Sequence, residues 1–227
     1  MIELITRQYV FDNYRKLTAQ IINMQQSMFD ADDLFETADD KQRYIEMHDA
    51  IDLVPADIIK HNSVITFDHD NINTFTAAIA EKLTKICTRL QISDLIVMAE
   101  VKQRFVGNPG NKFEPFQQAV SKFHHITRDL AYKEAFRLSL TDMPALIDIM
   151  FWIGRCDAGA PAFIFFCDTN EKMAFTLCQY GGIHVTAYEP DMITHDLLES
   201  TGMYFVEGRC EEEFSDSSKI TGRVAGI

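Results

Sequence analysis

Residues 168–179, DTNEKMAFTLCQ, carry the choice on which the fold turns. They leave the apolar run Ala162-Phe163-Ile164-Phe165-Phe166-Cys167 and arrive at Gly181-Gly182. One reading is a helix capped near Thr169 and closed by Gly181. Met173, Leu177 and Tyr180 fit helical spacing, and Glu171, Lys172, Met173 and Ala174 favour helix. The other reading is a turn followed by an antiparallel strand that ends in a Gly181-Gly182 hairpin. The helix is the leading expectation. It makes the second half of the chain alternate strand and helix, as an α/β fold with a mainly parallel, Rossmann-like sheet. The alternative is an α+β fold with an antiparallel meander over residues 161–188.

Upstream, 162–167 is apolar on both faces, as a central strand covered by helices is. Before it, Phe136-Arg137-Leu138-Ser139-Leu140 alternates like a strand, and Thr141 or Asp142 caps a helix with Pro144 in its first turn. Downstream, the spacing predicts a strand over 183–188, a helix over 191–200 and a last strand over 203–206. Toward the N-terminus, helices are expected over 8–29, 39–53, 73–90 and 114–131, and a short strand over 63–67. Residues 93–105 are ambiguous, since Leu95-Ile96-Val97-Met98 suits a buried strand or a buried helical turn. The expected domain plan is a helical N-terminal region over 1–60 and an α/β unit over 61–210. That unit has a helical insertion at about 73–131, and a polar tail over 211–227 follows it.

The chain has 227 residues, a formal net charge of −13 and 47% hydrophobic residues, which suits a folded globular protein. Such acidity disfavours nonspecific nucleic-acid binding, which needs Lys and Arg to displace counterions. The acid concentrates in 30–52, where Asp30, Asp32, Asp33, Glu36, Asp39, Asp40, Glu46, Asp49 and Asp52 face Lys41 and Arg43. No apolar run approaches the ~20 residues of a membrane span, and the charged N-terminus lacks the apolar stretch of a signal peptide. The cysteine number is odd and no CxxC occurs, so a reduced, cytoplasmic setting is the expectation.

Two predicted strands end in carboxylates. Val64 to Asn71, VITFDHDN, and Phe163 to Lys172, FIFFCDTNEK, resemble the first and fourth motifs of the haloacid dehalogenase-like (HAD) phosphohydrolases. The resemblance covers at most residues 64–207. It implies a Mg2+-dependent phosphohydrolase-like protein, active or degenerate, with a small phosphorylated substrate. By the same resemblance Asp68 is the nucleophile and Asp70 the general acid/base. Thr141 supplies the second motif's hydroxyl, and Arg155 stands in for the family's lysine. Asp68, Asp70, Asp168 and Glu171 hold Mg2+, and the helical stretch 73–131 is a cap. The chemistry is coherent, because Mg2+ screens the repulsion between a carboxylate and a phosphoryl group.

The rival belongs to another class: a non-catalytic acidic protein-binding module, of inhibitor, immunity or scaffold type, engaging a basic partner. The net charge and the acidic 30–52 stretch motivate it. The stripe Val10, Tyr14, Leu17, Ile21, Met24 and Met28 on the 8–29 helix suits a packed helix pair, and a homodimer through it is the alternative. Weaker candidates are His125 with Asp129 as a metal pair, Asp68-His69-Asp70 as a metal turn, His184 in its strand, and Cys156 beside Arg155 as an activated thiol.

Overall fold

The computed structural model describes residues 1–30, 35–69 and 71–207. The chain opens with β1 (Glu3–Ile5), then α1 (Arg7–Asn13) and α2 (Arg15–Met28). One apolar stripe runs through both helices, but Tyr14 divides them at φ −123°, ψ 85°. After α3 (Ala38–Met47) come β2 (His61–Thr66), α4 (Ile72–Arg89) and β3 (Asp94–Ala99). Next are α5 (Glu114–Thr127), ended by Arg128 in the left-handed region, β4 (Ala135–Ser139) and α6 (Met143–Cys156). The chain then runs through β5 (Ile164–Asp168), β6 (Met173–Leu177), β7 (Ile183–Ala187), α7 (His195–Glu199) and β8 (Tyr204–Phe205).

The deciding segment is a turn and a strand, so the helix expected across it is corrected. The Asp168 carboxylate accepts from the backbone N–H groups of Asn170 (2.8 Å), Lys172 (2.6 Å) and Met173 (2.8 Å). Glu171 takes the left-handed φ of 52° that lets the chain reverse. These bonds hold the N–H groups that would otherwise open a helix, and they aim Met173 back along β5. Phe166 then pairs with Phe175, their rings stacked at 5.0 Å. The next reversal, at Cys178–Gly182, uses Gly181 at φ 99°.

Among the described residues the sheet has eight strands in the order β1-β4-β3-β5-β6-β7-β2-β8. Every neighbouring pair is antiparallel. The expectation of an α/β, mainly parallel, Rossmann-like sheet is therefore overturned: the fold is α+β, and β5, β6 and β7 form the antiparallel meander. The strand expected over 162–167 is buried on both faces from Ile164 to Cys167, while Ala162 and Phe163 before it are exposed, and burial does not specify strand direction. Helices cover both faces of these antiparallel strands just as they do in a parallel sheet. The expected helical insertion over 73–131 also changes, because β3 lies within it and sits between β4 and β5. The N-terminal region is not purely helical either, since β1 extends the sheet beside β4.

The layers follow from period-two alternation. Leu95, Val97, Phe166, Phe175 and Val185 face the core beneath α4, α5 and α6. Ile96, Met98, Phe165, Cys167 and Ala174 face the opposite core, which α1 and α2 close with Val10, Tyr14, Leu17 and Ile21. Most of the stripe weighed as a dimer seam is thus buried within the chain, against its own sheet. Among the described residues no helix is long and apolar enough to cross a membrane.

Candidate functional site

Antiparallel pairing separates the carboxylates that the HAD resemblance draws together. β5 and β2 run in opposite directions with β6 and β7 between them. Asp168 ends β5 at one end of the sheet, and Asp68 follows β2 at the other. Three strand spacings alone amount to about 14 Å across the sheet, before the strand length is added. Asp68 is exposed and accepts from the Tyr204 hydroxyl at 2.9 Å. Asp70 lies outside the described residues, and so do Asp32, Asp33, Cys210 and the 211–227 tail. Thr141 is exposed after β4, bonded to the Ser139 hydroxyl at 2.7 Å. It shares Asp168's end of the sheet, with β3 between their strands. Arg155 is buried at the end of α6, and its Nη1 donates to the Gln179 carbonyl at the far end of the meander.

Glu171 has a different task. Its Oε1 accepts from the Lys16 and Leu17 backbone N–H groups at 2.6 and 2.9 Å, capping α2. Of the residues named for Mg2+, the described ones, Asp68, Asp168 and Glu171, therefore do not meet around one ion. The Asp168 oxygens are taken up by backbone donors, Glu171 Oε1 by a helix end, and Asp68 lies at the opposite end of the sheet. Among the described residues no group of three or more His, Cys, Asp and Glu side chains converges as metal ligands.

The minor candidates also take local roles. α5 stops at Thr127, so Asp129 leaves the helical face of His125 and instead accepts from the Ala131 N–H at 2.8 Å. Burial pushes the Cys156 thiol up to about 11, against the Arg155 charge, so it is not an activated nucleophile. His69 bonds the Thr74 hydroxyl at 3.0 Å, and Asn71 caps α4 by accepting from the Asn73 N–H. The polar stretch after β2 thus works in part as a helix entry. His184 lies on β7 opposite Val64 of β2 and Thr176 of β6.

One buried cluster was not anticipated. Arg7, fully buried, donates from Nε and Nη2 to Asp49 at 2.7 and 2.9 Å and from Nη1 to the Ala99 carbonyl at 2.6 Å. Gln25 bonds the Glu100 carbonyl at 2.7 Å and the Ala50 N–H at 2.8 Å. Glu100 is 3% exposed; its Oε1 accepts from the Ala162 N–H at 2.7 Å, and its Oε2 has no partner among the described residues. Burial raises its pKa, against backbone hydrogen bonds and the Arg7 charge. The cluster ties α1, α2 and the turn after α3 to the end of β3. A single acid closing the apolar run Leu95-Ile96-Val97-Met98-Ala99 is its only sequence trace.

The acidic segment is built differently. α3 buries none of its own residues and is capped by Thr37, which accepts from the Asp40 N–H. It rests on an aromatic cluster in which Tyr44 lies 5.3 Å from Phe29, 5.1 Å from Phe35 and 4.4 Å from His48. With Tyr44 turned inward, Glu36, Asp39 and Glu46 stand exposed. Gln26 Nε2 then holds the Ile51 and Leu53 carbonyls along α2, and Asp52 and Asp57 are exposed. Val54 and Ile59 are 91% and 74% exposed, which is unusual for β-branched aliphatics. Val54 also borders a cleft of about 400 Å3 floored by Phe11, Ala19 and Ile22.

Comparison with known proteins finds no matching family model, no matching curated protein and no matching solved structure.

Proposed function

We propose that this protein is a non-catalytic binding module that engages a basic, amphipathic segment of a partner protein through α3 and residues 51–59. The observation that carries this reading is the presentation of α3. The helix contributes nothing fully buried to either core, yet an aromatic cluster and a side-chain cap hold it in place. Exposed acids on a fixed element complement Lys and Arg and speed encounter. The exposed Val54 and Ile59, on the segment that follows α3, give a partner apolar surface to bury.

The test uses an amphipathic Lys/Leu peptide as probe, titrated by calorimetry over a salt series. Binding is expected to weaken by about tenfold or more between 0.05 and 0.3 M salt, as the Debye length shortens. The neutralised variant Asp39→Asn/Glu46→Gln/Asp52→Asn/Asp57→Asn is expected to lose most of the affinity. An equal change of charge elsewhere on the surface, at Glu3, Glu114, Glu189 and Glu199, is expected to leave most of it. Equal losses in the two variants would reduce the interaction to net charge and remove this site.

A further inference from the structure

The turn at 47–50 fastens the acidic segment to the end of β3. The Lys102 N–H donates to the Met47 carbonyl at 2.7 Å, the Ala50 N–H donates to Gln25 Oε1 at 2.8 Å, and Arg7 holds both Asp49 oxygens. α3 buries none of its own residues, so its position depends on this joint as well as on the aromatic cluster.

Glu100 stands within the joint, and its Oε2 is enclosed with no partner among the described residues. Arg7 Nη1 bonds the carbonyls on either side of it, Ala99 at 2.6 Å and Val101 at 3.4 Å. Arg7 is therefore the adjacent cation. The other groups around the joint already have partners. Asp49 accepts from Arg7 and, at 3.1 Å, from Gln25 Nε2. Glu134 accepts from the Arg7 backbone N–H at 2.8 Å and pairs with Lys102 at 3.8 Å. His48 turns its Nδ1 to the Tyr44 carbonyl at 2.8 Å. α2 brings the neutral Gln25, and Ala162 before β5 brings a backbone N–H.

An unpaired oxygen on a neutral carboxyl costs little beside the same oxygen on a carboxylate, which is an uncompensated buried charge. Ionised Glu100 attracts Arg7, and Arg7 already serves Asp49. Movement toward Glu100 weakens the two-pronged bond that holds the turn.

We propose that Glu100 is a proton-controlled latch for α3: protonated, it leaves Arg7 on Asp49 and the joint closed; ionised, it draws Arg7 from Asp49 and releases the turn. Burial raises the pKa of Glu100. The closed joint is thus complete below the ordinary carboxylate range and is lost as pH rises through the raised value. Binding of a basic partner is strongest with the latch closed, a consequence that rests on the acidic surface proposed above.

The test follows amide hydrogen exchange of the full chain by NMR from about pH 4.5 to 8.5, with the Lys/Leu peptide titrated at each pH. Protection is corrected for the intrinsic rate and compared with Phe166 and Phe175 in the sheet interior. The Ala50 and Lys102 amides are expected to lose about tenfold or more in one titration step, and the Arg7 Nε–H resonance to shift with the same midpoint. Glu100→Gln is expected to keep protection level across the range. Asp49→Asn weakens the Arg7 tie at every pH, so it is expected to show at the acid end the low protection that the wild type reaches at the alkaline end. Peptide affinity is expected to fall by about tenfold across the step in the wild type and to stay level in Glu100→Gln. The latch is overturned by level protection in the wild type, by a step that survives Glu100→Gln, or by an Asp49→Asn variant that keeps the full step. Exchange needs no partner, so a peptide that binds at no pH counts against the acidic surface alone.

Discussion

The Glu171 carboxylate accepts a 2.6 Å hydrogen bond from the backbone N–H of Lys16, 155 residues earlier in the chain. The same oxygen accepts from Leu17 at 2.9 Å. α2 needs this, because Tyr14 at its N-cap offers no side-chain bond to the first-turn N–H groups. The β5–β6 turn therefore supplies an N-cap from a distant part of the chain, with its negative charge at the favourable end of the helix dipole.

Glu171→Ala is accordingly expected to destabilise the fold by about 1–2 kcal/mol, the usual cost of a lost cap. Glu171→Gln keeps an acceptor and should lose less. Glu171→Gly separates the cap from the backbone: it relieves the φ of 52° yet removes the carboxylate. Urea unfolding measures all three. Stability equal to the wild type in the alanine variant, which keeps the backbone strain, would show that the cap contributes little.

Asp168→Ala should be the more damaging change in the same turn. It strips the acceptor from three backbone donors at a fully buried site, for an expected loss of about 3 kcal/mol or more. The check is a shift of the unfolding midpoint at unchanged m-value, with faster amide exchange at Lys172 and Met173.

Glu100 governs a pH dependence. Burial raises its folded-state pKa above that of the unfolded chain. The stability linked to its protonated form is thus complete below the unfolded value of about 4.3, and it is lost as pH rises through the folded value. Glu100→Gln cannot ionise and escapes this loss. Its Tm relative to the wild type should therefore climb from pH 4 to pH 8 in thermal melts. A difference that stays flat across that range would show that Glu100 does not titrate as a buried carboxyl.

The loop before α5 depends on a glycine contact. A Cβ on Gly107 would lie 2.5 Å from the carbonyl of Gly159, backbone against backbone, whereas one on Gly159 would meet Gly107 Cα at 3.1 Å. Asp157 draws the two segments together, accepting from the Gly107 and Asn108 N–H groups at 2.7 and 2.8 Å. Gly107→Ala should cost about 1–3 kcal/mol and Gly159→Ala less. Paired denaturation curves check the order.

The sequence by itself determined where most elements lie, because helix and strand periods are local properties of side-chain order. The stripe from Val10 to Ile21 announced a buried helical arm, and 162–167 announced a strand that is covered on both faces from Ile164 onward. It also located the exposed acid of α3, since charge is a sum over residues. It could not resolve 168–179, and the reason is arithmetic. Met173 and Leu177 are four apart, which is about one helical turn and also two strand repeats. Only Asp168 closing the turn, and the registers of β6 with β5 and β7, separate the two. The direction of β2 relative to β5 was equally out of reach, since pairing between distant segments leaves no periodic trace in either. The tertiary structure alone decided that direction, and with it that Asp68 and Asp168 stand at opposite ends of one sheet.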